Sequence, residues 1–195
     1  MKLRMRILVA GAIAALAGSA YAQNTQDVIQ RDVNQQQRIE NGLQSGQLTT
    51  KEAGKLERDE AHIDKMESQA LKDGKMTNAE KQRIERAENR VSNEIYRDKH
   101  NGNVGDPNSV SSQRMQADVQ RNVNQQERIE KGIQNGSLTN REVSNLERGQ
   151  AHVDRKEANA AANGHISARE QEHIQAAENR QSKHIHHDKH NDRVR

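Results

Sequence analysis

Four histidines and one aspartate lie close together near the end of the chain: His184, His186, His187, Asp188 and His190. If this segment is helical, His186 and His190 are one turn apart, and so are His184 and Asp188. This spacing allows two ring nitrogens, or a ring nitrogen and a carboxylate, to reach one metal ion. Imidazole nitrogen suits Zn²⁺ and Cu²⁺. The tail therefore predicts a transition-metal site formed by these five residues.

A charged helix end is the alternative interpretation of the tail. Ninety residues earlier, where the rest of the sequence recurs, the positions of His184, His186 and His187 hold Glu94, Tyr96 and Arg97, and among the four histidines only His190 has a matching histidine, His100. The cluster is thus particular to the second half of the chain. Cationic side chains at a helix C-terminus also complement the helix dipole without any metal.

Four short segments combine a glycine, an aliphatic residue or Met, a Thr or Ser and a glutamate at fixed spacing. They are residues 46–52, 74–80, 136–142 and 164–170. A hydroxyl three residues before a glutamate is a capping box, in which each side chain bonds the backbone N–H of the other residue. The preceding glycine suits the left-handed residue that ends a helix. Each segment therefore predicts a helix end, a tight turn and a helix start.

The same turns resemble the second half of an EF-hand loop, most closely at residues 73–80. Where the first two ligating side chains would stand, this turn has Gln69 and Leu71. Calcium requires six to eight oxygens, so capped turns are favoured and calcium is disfavoured as a cofactor. The alternative is a degenerate cation site, with the candidate pairs Asp73 with Glu80 and Asn163 with Glu170.

The capped turns belong to a longer repeat, because the chain matches itself at an offset of 90 residues. Residues 30–101 align with residues 120–191 without a gap, and 36 of the 72 aligned positions are identical. A fixed internal period indicates modular architecture. The pattern predicts an all-α fold: a tandem duplication of a three-helix, up-down-up unit, elongated and with a thin core. The predicted helices are residues 27–45, 50–72, 78–100, 112–135, 140–162 and 168–191.

The ends and the linker divide the chain into four predicted regions. Lys2, Arg4 and Arg6, the apolar run 7–17 and the small-x-small segment 20–22 are typical of a secretory signal peptide. We expect cleavage near Ala22 and a periplasmic or secreted protein with no membrane span. The regions are a signal peptide at 1–22, repeat unit one at 23–101, a linker at 102–111 and repeat unit two, with the His-rich end, at 112–195.

Charge and composition disfavour several classes of function. The chain has 31 Lys and Arg against 28 Asp and Glu, but three of the cations lie in the predicted signal peptide, which leaves 28 against 28. A neutral chain with a single aromatic residue, Tyr96, after cleavage is not expected to bind nucleic acid. No nucleophile–base pattern or phosphate-binding glycine loop occurs, so we expect no enzymatic activity.

Charged runs and two repeated histidines are interpreted as surface features. The run Glu57-Arg58-Asp59-Glu60 is typical of a solvated helix face with paired charges. His62 and His152 recur at the offset of 90 and are expected at the surface, beside the apolar stripes of their helices.

Two resemblances bear on function. Leu48-Thr49-x-x-Glu52 and its counterpart at 138–142 resemble the Leu-Thr-x-x-Gln motif of the Spy/CpxP-type periplasmic chaperones, which implies a stress-protective binding role. Most of the chain after residue 22 resembles small exported Gly-x-Leu-Thr-x-x-Glu repeat proteins of Gram-negative bacteria, a likeness that implies no activity.

We therefore expect a non-enzymatic periplasmic or secreted helical repeat protein that binds a divalent transition metal, Zn or Cu, in envelope metal buffering or stress protection. The alternative is a Spy/CpxP-like chaperone or a module that docks to one protein partner without metal. The narrow apolar stripes of the helices also allow self-association.

Overall fold

A computed structural model describes the backbone of residues 12–193 and the side chains of residues 23–193. Within this part the protein is all-α and has no strand, which confirms the all-α class; the tandem duplication of an elongated three-helix unit stays a prediction. The predicted signal peptide, residues 1–22, has no described side chain and stays a prediction. The helices are α1 (Ala12–Gln44), α2 (Thr50–Ala70), α3 (Asn78–Asp98), α4 (Val110–Gln134), α5 (Asn140–Ala160) and α6 (Ala168–Lys189), and a 3-10 turn (Ala161–Asn163) follows α5.

All four predicted capping boxes are present. At the start of α2, the Thr49 backbone N–H donates to Glu52 Oε2 at 2.9 Å, and the Glu52 N–H donates to Thr49 Oγ1 at 3.2 Å. The same reciprocal pairs begin α3, α5 and α6. The glycine of each turn is left-handed, as at Gly74 with φ 91°. Local sequence therefore determines where these helices begin, because each cap satisfies N–H groups that lack a partner within the helix.

The two halves of the chain pack helix against helix and share one core. Helix α2 packs along α5, and α1 packs along α4, while α3 and α6 cover the flanks. The contact between α2 and the end of α5 is close, since a Cβ placed on Gly54 would collide with the Cβ of Ala161, the first residue after α5. One continuous cluster of buried apolar side chains includes residues from both halves, such as Leu56 and Leu146.

The interior is not wholly apolar. Glu57 and Glu60, interpreted from the sequence as part of a solvated face, are 0% and 1% exposed. That interpretation was wrong for these two residues, because the face of α2 that carries them turns toward the opposite half of the chain. Between residues 12 and 193, no helix is both long and apolar enough to cross a bilayer.

Candidate metal sites in the helix-bundle interior

A stripe of acidic residues follows the buried face of α2. Glu57, Glu60, Asp64 and Glu67 are spaced by three, four and three residues, so their side chains lie on one side of the helix. All four are buried. Helix α5 carries the equivalent stripe 90 residues later, and because α2 and α5 pack together, the two stripes meet inside the protein. The α5 stripe consists of Glu147, Gln150, Asp154 and Glu157.

The first interior site is formed by Asp32, Asp64, Glu67 and Glu147. These residues come from α1, α2 and α5, and one carboxylate oxygen from each lies within 4.8 Å of the others. All four are fully or almost fully buried. Neither oxygen of Asp32 accepts a hydrogen bond from an N–H or hydroxyl group, and the same is true of Glu67. The site thus gathers four carboxylates whose acceptor oxygens are largely unused.

The second interior site repeats this arrangement 90 residues along the chain. Glu57, Asp154 and Glu157 each place an oxygen within 4.8 Å of the others. The position equivalent to Asp32 is Asn122, whose Nδ2 donates to Glu157 Oε2 at 2.9 Å and to Glu57 Oε2 at 3.5 Å. Asn122 is 0% exposed, and its Oδ1 has no hydrogen-bond donor. This buried amide oxygen is therefore an acceptor available to a cation or a water molecule.

Two glutamines hold the carboxylate that each half contributes to the other half's site. Gln36 Nε2 donates to Glu57 Oε2 at 2.9 Å, and Gln126 Nε2 donates to Glu147 Oε2 at 3.0 Å. In both glutamates the other oxygen, Oε1, accepts no hydrogen bond. Side-chain amides that orient a carboxylate in this way are typical of the shell behind metal ligands.

The charge of these acids is not balanced by the protein. Among the described residues, arginines pair with buried acids outside the two sites: Arg31 with Glu88 at 3.1 Å, Arg121 with Glu178 at 3.2 Å, and Arg193 with Glu142 at 4.0 Å. No Lys, Arg or His in the described chain forms an ion pair with the seven carboxylates of the two sites or with Glu60. Burying an unpaired carboxylate costs several kcal/mol, so these eight groups must bind protons or cations.

Burial raises the pKa of these carboxyl groups. Desolvation raises the pKa of Glu147 from 4.5 to about 8 and that of Glu57 to about 7. The pKa values of Asp32 and Glu67 lie well above their usual values, because of burial first and neighbouring carboxylates second. Asp32 and Glu67 are also close enough for one proton to bridge them. Without a cation, protons therefore neutralise part of this interior.

Glu60 lies between the two sites. Burial raises its pKa most, and repulsion from Asp32 in the first site and from Glu57 and Asp154 in the second raises it further. Neither of its carboxylate oxygens accepts a hydrogen bond. The equivalent position in the second half is the uncharged Gln150. Glu60 therefore connects the two sites electrostatically.

The donor set fits a hard divalent cation. The first site offers four carboxylates, the second offers three carboxylates beside the Asn122 amide oxygen, and neither contains an imidazole or a thiolate. Calcium holds its oxygens at about 2.3–2.6 Å, so carboxylate oxygens that all lie within 4.8 Å of one another are close enough to share one ion. Oxygen-only sites suit Ca²⁺ and Mn²⁺, whereas Zn²⁺ and Cu²⁺ favour nitrogen or sulfur.

The structure brings two of the five predicted tail ligands together. His186 and His190 lie on the last turn of α6 with ring centroids 4.3 Å apart, and His190 Nδ1 lies 2.7 Å from the backbone oxygen of His186. His184 and His187 are exposed, and Asp188 is half-buried. In the described part of the chain, no group of three ligand atoms within 4.8 Å includes a tail residue. The tail site stays a prediction.

The turns keep their carboxylates occupied with capping. Glu80 Oε2 accepts from the Thr77 backbone N–H at 2.9 Å, and Asp73 Oδ1 accepts from the Lys75 N–H at 2.9 Å. In the fourth turn, Asn163 Oδ1 and Glu170 Oε2 likewise accept backbone N–H groups. These contacts are those of capped turns.

Sequence reasoning missed both interior sites, although a signal for them existed. Three of the four stripe positions on α2 carry the same acid 90 residues later, at a spacing that places them on one helix face. His62 and His152, by contrast, are exposed as expected.

Comparison of the chain with protein-family models, with curated proteins and with solved structures found no match.

Proposed function

We propose that this protein binds divalent cations that prefer oxygen ligands, such as Mn²⁺ and Ca²⁺, inside its helix bundle. The observation that supports the proposal is the burial of eight carboxyl groups without cationic partners, seven of them in two sets whose oxygens lie within 4.8 Å of one another. Bound cations would replace the protons that otherwise neutralise this interior. The cation is then part of the folded structure.

The proposal keeps the expected class of function and changes the position and chemistry of its site. The protein is a non-enzymatic helical metal-binding protein, and its predicted signal peptide supports export to the periplasm or beyond the cell. The interior ligands favour Mn²⁺ or Ca²⁺. The His186 and His190 rings, which are adjacent on α6, keep Zn²⁺ or Cu²⁺ binding at the tail as a second and separate candidate.

The test is a calorimetric titration of chelator-treated protein with Mn²⁺ at pH 7.5. We expect binding that is lost or at least tenfold weaker in Asp64→Asn and in Glu67→Gln, because each change removes a ligand charge from the first interior site. The tail variant His186→Ala/His190→Ala is expected to bind Mn²⁺ normally.

The matched control is Glu80→Gln, which removes a carboxylate from a capped turn outside both sites and is expected to leave Mn²⁺ binding unchanged. A parallel titration with Zn²⁺ separates the tail from the interior, since the tail carries imidazole groups and the two interior sites carry none. If the wild-type protein takes up no Mn²⁺ or Ca²⁺ at millimolar concentration, or if its uptake depends on the tail histidines alone, the proposal is wrong.

A further inference from the structure

The two interior sites differ at one ligand position. Asp32 in the first site is replaced by Asn122 in the second, while the other three positions keep the same acids. The first site therefore carries up to four negative charges and the second up to three. Affinity for a hard divalent cation depends strongly on the number of charged ligands.

We propose that the protein binds two divalent cations per chain at sites of unequal affinity, and that the first interior site fills before the second. This inference rests on the proposed function, because it specifies how the same interior is occupied. The two cations are alike in chemistry, and the difference in affinity originates in the Asp32 and Asn122 pair.

Asn122 weakens the second site in two ways. It lacks the charge of Asp32, and its Nδ2 donates hydrogen bonds to Glu157 and Glu57, both of which are ligands of that site. These hydrogen bonds occupy the Oε2 atom of each glutamate, so a cation that binds there must use the Oε1 atoms or displace the amide. Asn122 itself can bind the ion only through its unpartnered Oδ1, because a side-chain amide has a single oxygen.

Glu60 widens the difference between the sites. Its carboxyl group interacts with Asp32 on one side and with Glu57 and Asp154 on the other. A cation in the first site attracts the charge of Glu60 and lowers the negative potential at the second site, because the interior has a low dielectric constant. The second cation therefore binds more weakly than its own ligands alone would dictate.

The experiment titrates chelator-treated full-length protein with Mn²⁺ at pH 7.5. Free Mn²⁺ is measured by its strong electron paramagnetic resonance signal, and bound Mn²⁺ is the difference between the total and the free ion. We expect two classes of one ion each, with dissociation constants at least tenfold apart. Asn122→Asp should strengthen the weak class at least tenfold, whereas Asp32→Asn should weaken the tight class by a similar factor. Changes in the shell around a metal already alter affinity by about 10- to 100-fold.

Two further variants assign each class to a site, because each removes the carboxylate that one half contributes to the other. Glu147→Gln should abolish the tight class, and Glu57→Gln should abolish the weak class. Circular dichroism confirms that each variant stays helical, and the wild-type titration is decisive without any variant.

The outcomes distinguish this inference from the proposed function. Two classes of equal affinity, a single ion per chain, or a tight class that survives Glu147→Gln would overturn the unequal filling while leaving cation binding intact. Absence of Mn²⁺ uptake by the wild-type protein would overturn both.

Discussion

Glu178 and Asp118 show how burial controls the ionisation of individual carboxyl groups in this protein. Neither belongs to the interior sites. Burial raises the pKa of Glu178 from 4.5 to about 8, despite the Arg121 guanidinium at 3.2 Å. It raises the pKa of Asp118 from 3.8 to about 7, despite a hydrogen bond from Gln171 Nε2 at 2.6 Å. For both groups desolvation outweighs the favourable contacts.

The raised pKa of Glu178 predicts that the cation-free protein loses stability as the pH rises. The folded state binds this proton more tightly than the unfolded state, so its contribution is fully present below pH 4.5 and is lost as the pH approaches about 8. Between these two pKa values, the free energy of unfolding should fall by about 1.4 kcal/mol for each pH unit. Urea denaturation from pH 4.5 to 8.5 in the presence of chelator measures this slope.

Glu178→Gln should reduce that slope, because the amide has no proton to lose. Glu172→Gln, which changes an exposed acid on the same helix, serves as the control and should leave the slope unaltered. An unfolding free energy that rises with pH across this range would contradict the prediction.

Glu60 allows a second prediction about a single residue, because its counterpart Gln150 shows that an amide fits the equivalent position. In chelator at pH 8, Glu60→Gln should raise the free energy of unfolding by at least about 1 kcal/mol, since the raised pKa of this buried carboxyl group makes it destabilising at high pH. The effect should be smaller at pH 5, which is close to the ordinary carboxyl pKa of 4.5. The measurement is urea denaturation at the two pH values.

The reciprocal variant Gln150→Glu is the control. It adds a carboxyl group to the interior, and at pH 8 it should destabilise the cation-free protein. Loss of stability at both pH values in Glu60→Gln would show that the carboxylate makes contacts that the amide cannot replace.

Among the helices, the contact between α2 and α5 decides whether the two acidic stripes can share cations. Gly54 permits this contact, because a Cβ there would lie 2.4 Å from the Ala161 Cβ and 3.5 Å from the Ala161 backbone. The equivalent residue on α5, Ser144, also approaches the opposite helix, where its Oγ donates to the Ser68 carbonyl oxygen at 2.6 Å. Small residues at both crossings therefore hold the helices close.

Gly54→Ala should destabilise the protein, although alanine is the better helix former by about 1 kcal/mol. The added methyl group collides with Ala161, and overpacking of this kind costs about 1–3 kcal/mol. Urea denaturation gives the change in stability, and a Mn²⁺ titration should show weaker binding, because each site uses ligands from both α2 and α5.

The double variant Gly54→Ala/Ala161→Gly tests the cause of that loss. It removes the methyl group that the new one meets, so it should recover part of the stability and of the Mn²⁺ affinity. If Gly54→Ala alone stabilises the protein, the close helix contact is not present in solution.

For the whole molecule, the shared core means that the two halves depend on each other. The linker between them is exposed at Val104, whereas Gly105 N–H donates to the Gly46 carbonyl oxygen at 2.9 Å. A protease site engineered at Asn103-Val104 would therefore cut the chain without disturbing a buried contact. Helices α1 and α2 would still pack on α4 and α5 of the other fragment.

We expect the two fragments to co-elute on size-exclusion chromatography after cleavage, and to separate more readily in chelator at pH 8 than in Mn²⁺. The interior cations would link the fragments, because each site has ligands from both. The uncut protein with the same engineered sequence is the control. Fragments that elute as two folded monomers in Mn²⁺ would show that each half is an independent domain.

Local features of the sequence determined where four of the six described helices begin. The capping boxes at Thr49, Thr77, Thr139 and Ser167 predicted the starts of four helices correctly, since a cap acts within one turn and needs no partner elsewhere in the chain. The all-α class followed from the same signals.

The interior sites depended on tertiary structure. From the sequence alone, Glu57 and Glu60 resemble a solvated face, because acids next to arginine usually remain in water. Their burial results from α2 packing on α5, between residues about 90 positions apart, and no pattern within one helix shows which face will be covered. Sequence thus determined the helices and the positions of the acids along them, and only the packing of the two halves made those acids a pair of candidate metal sites.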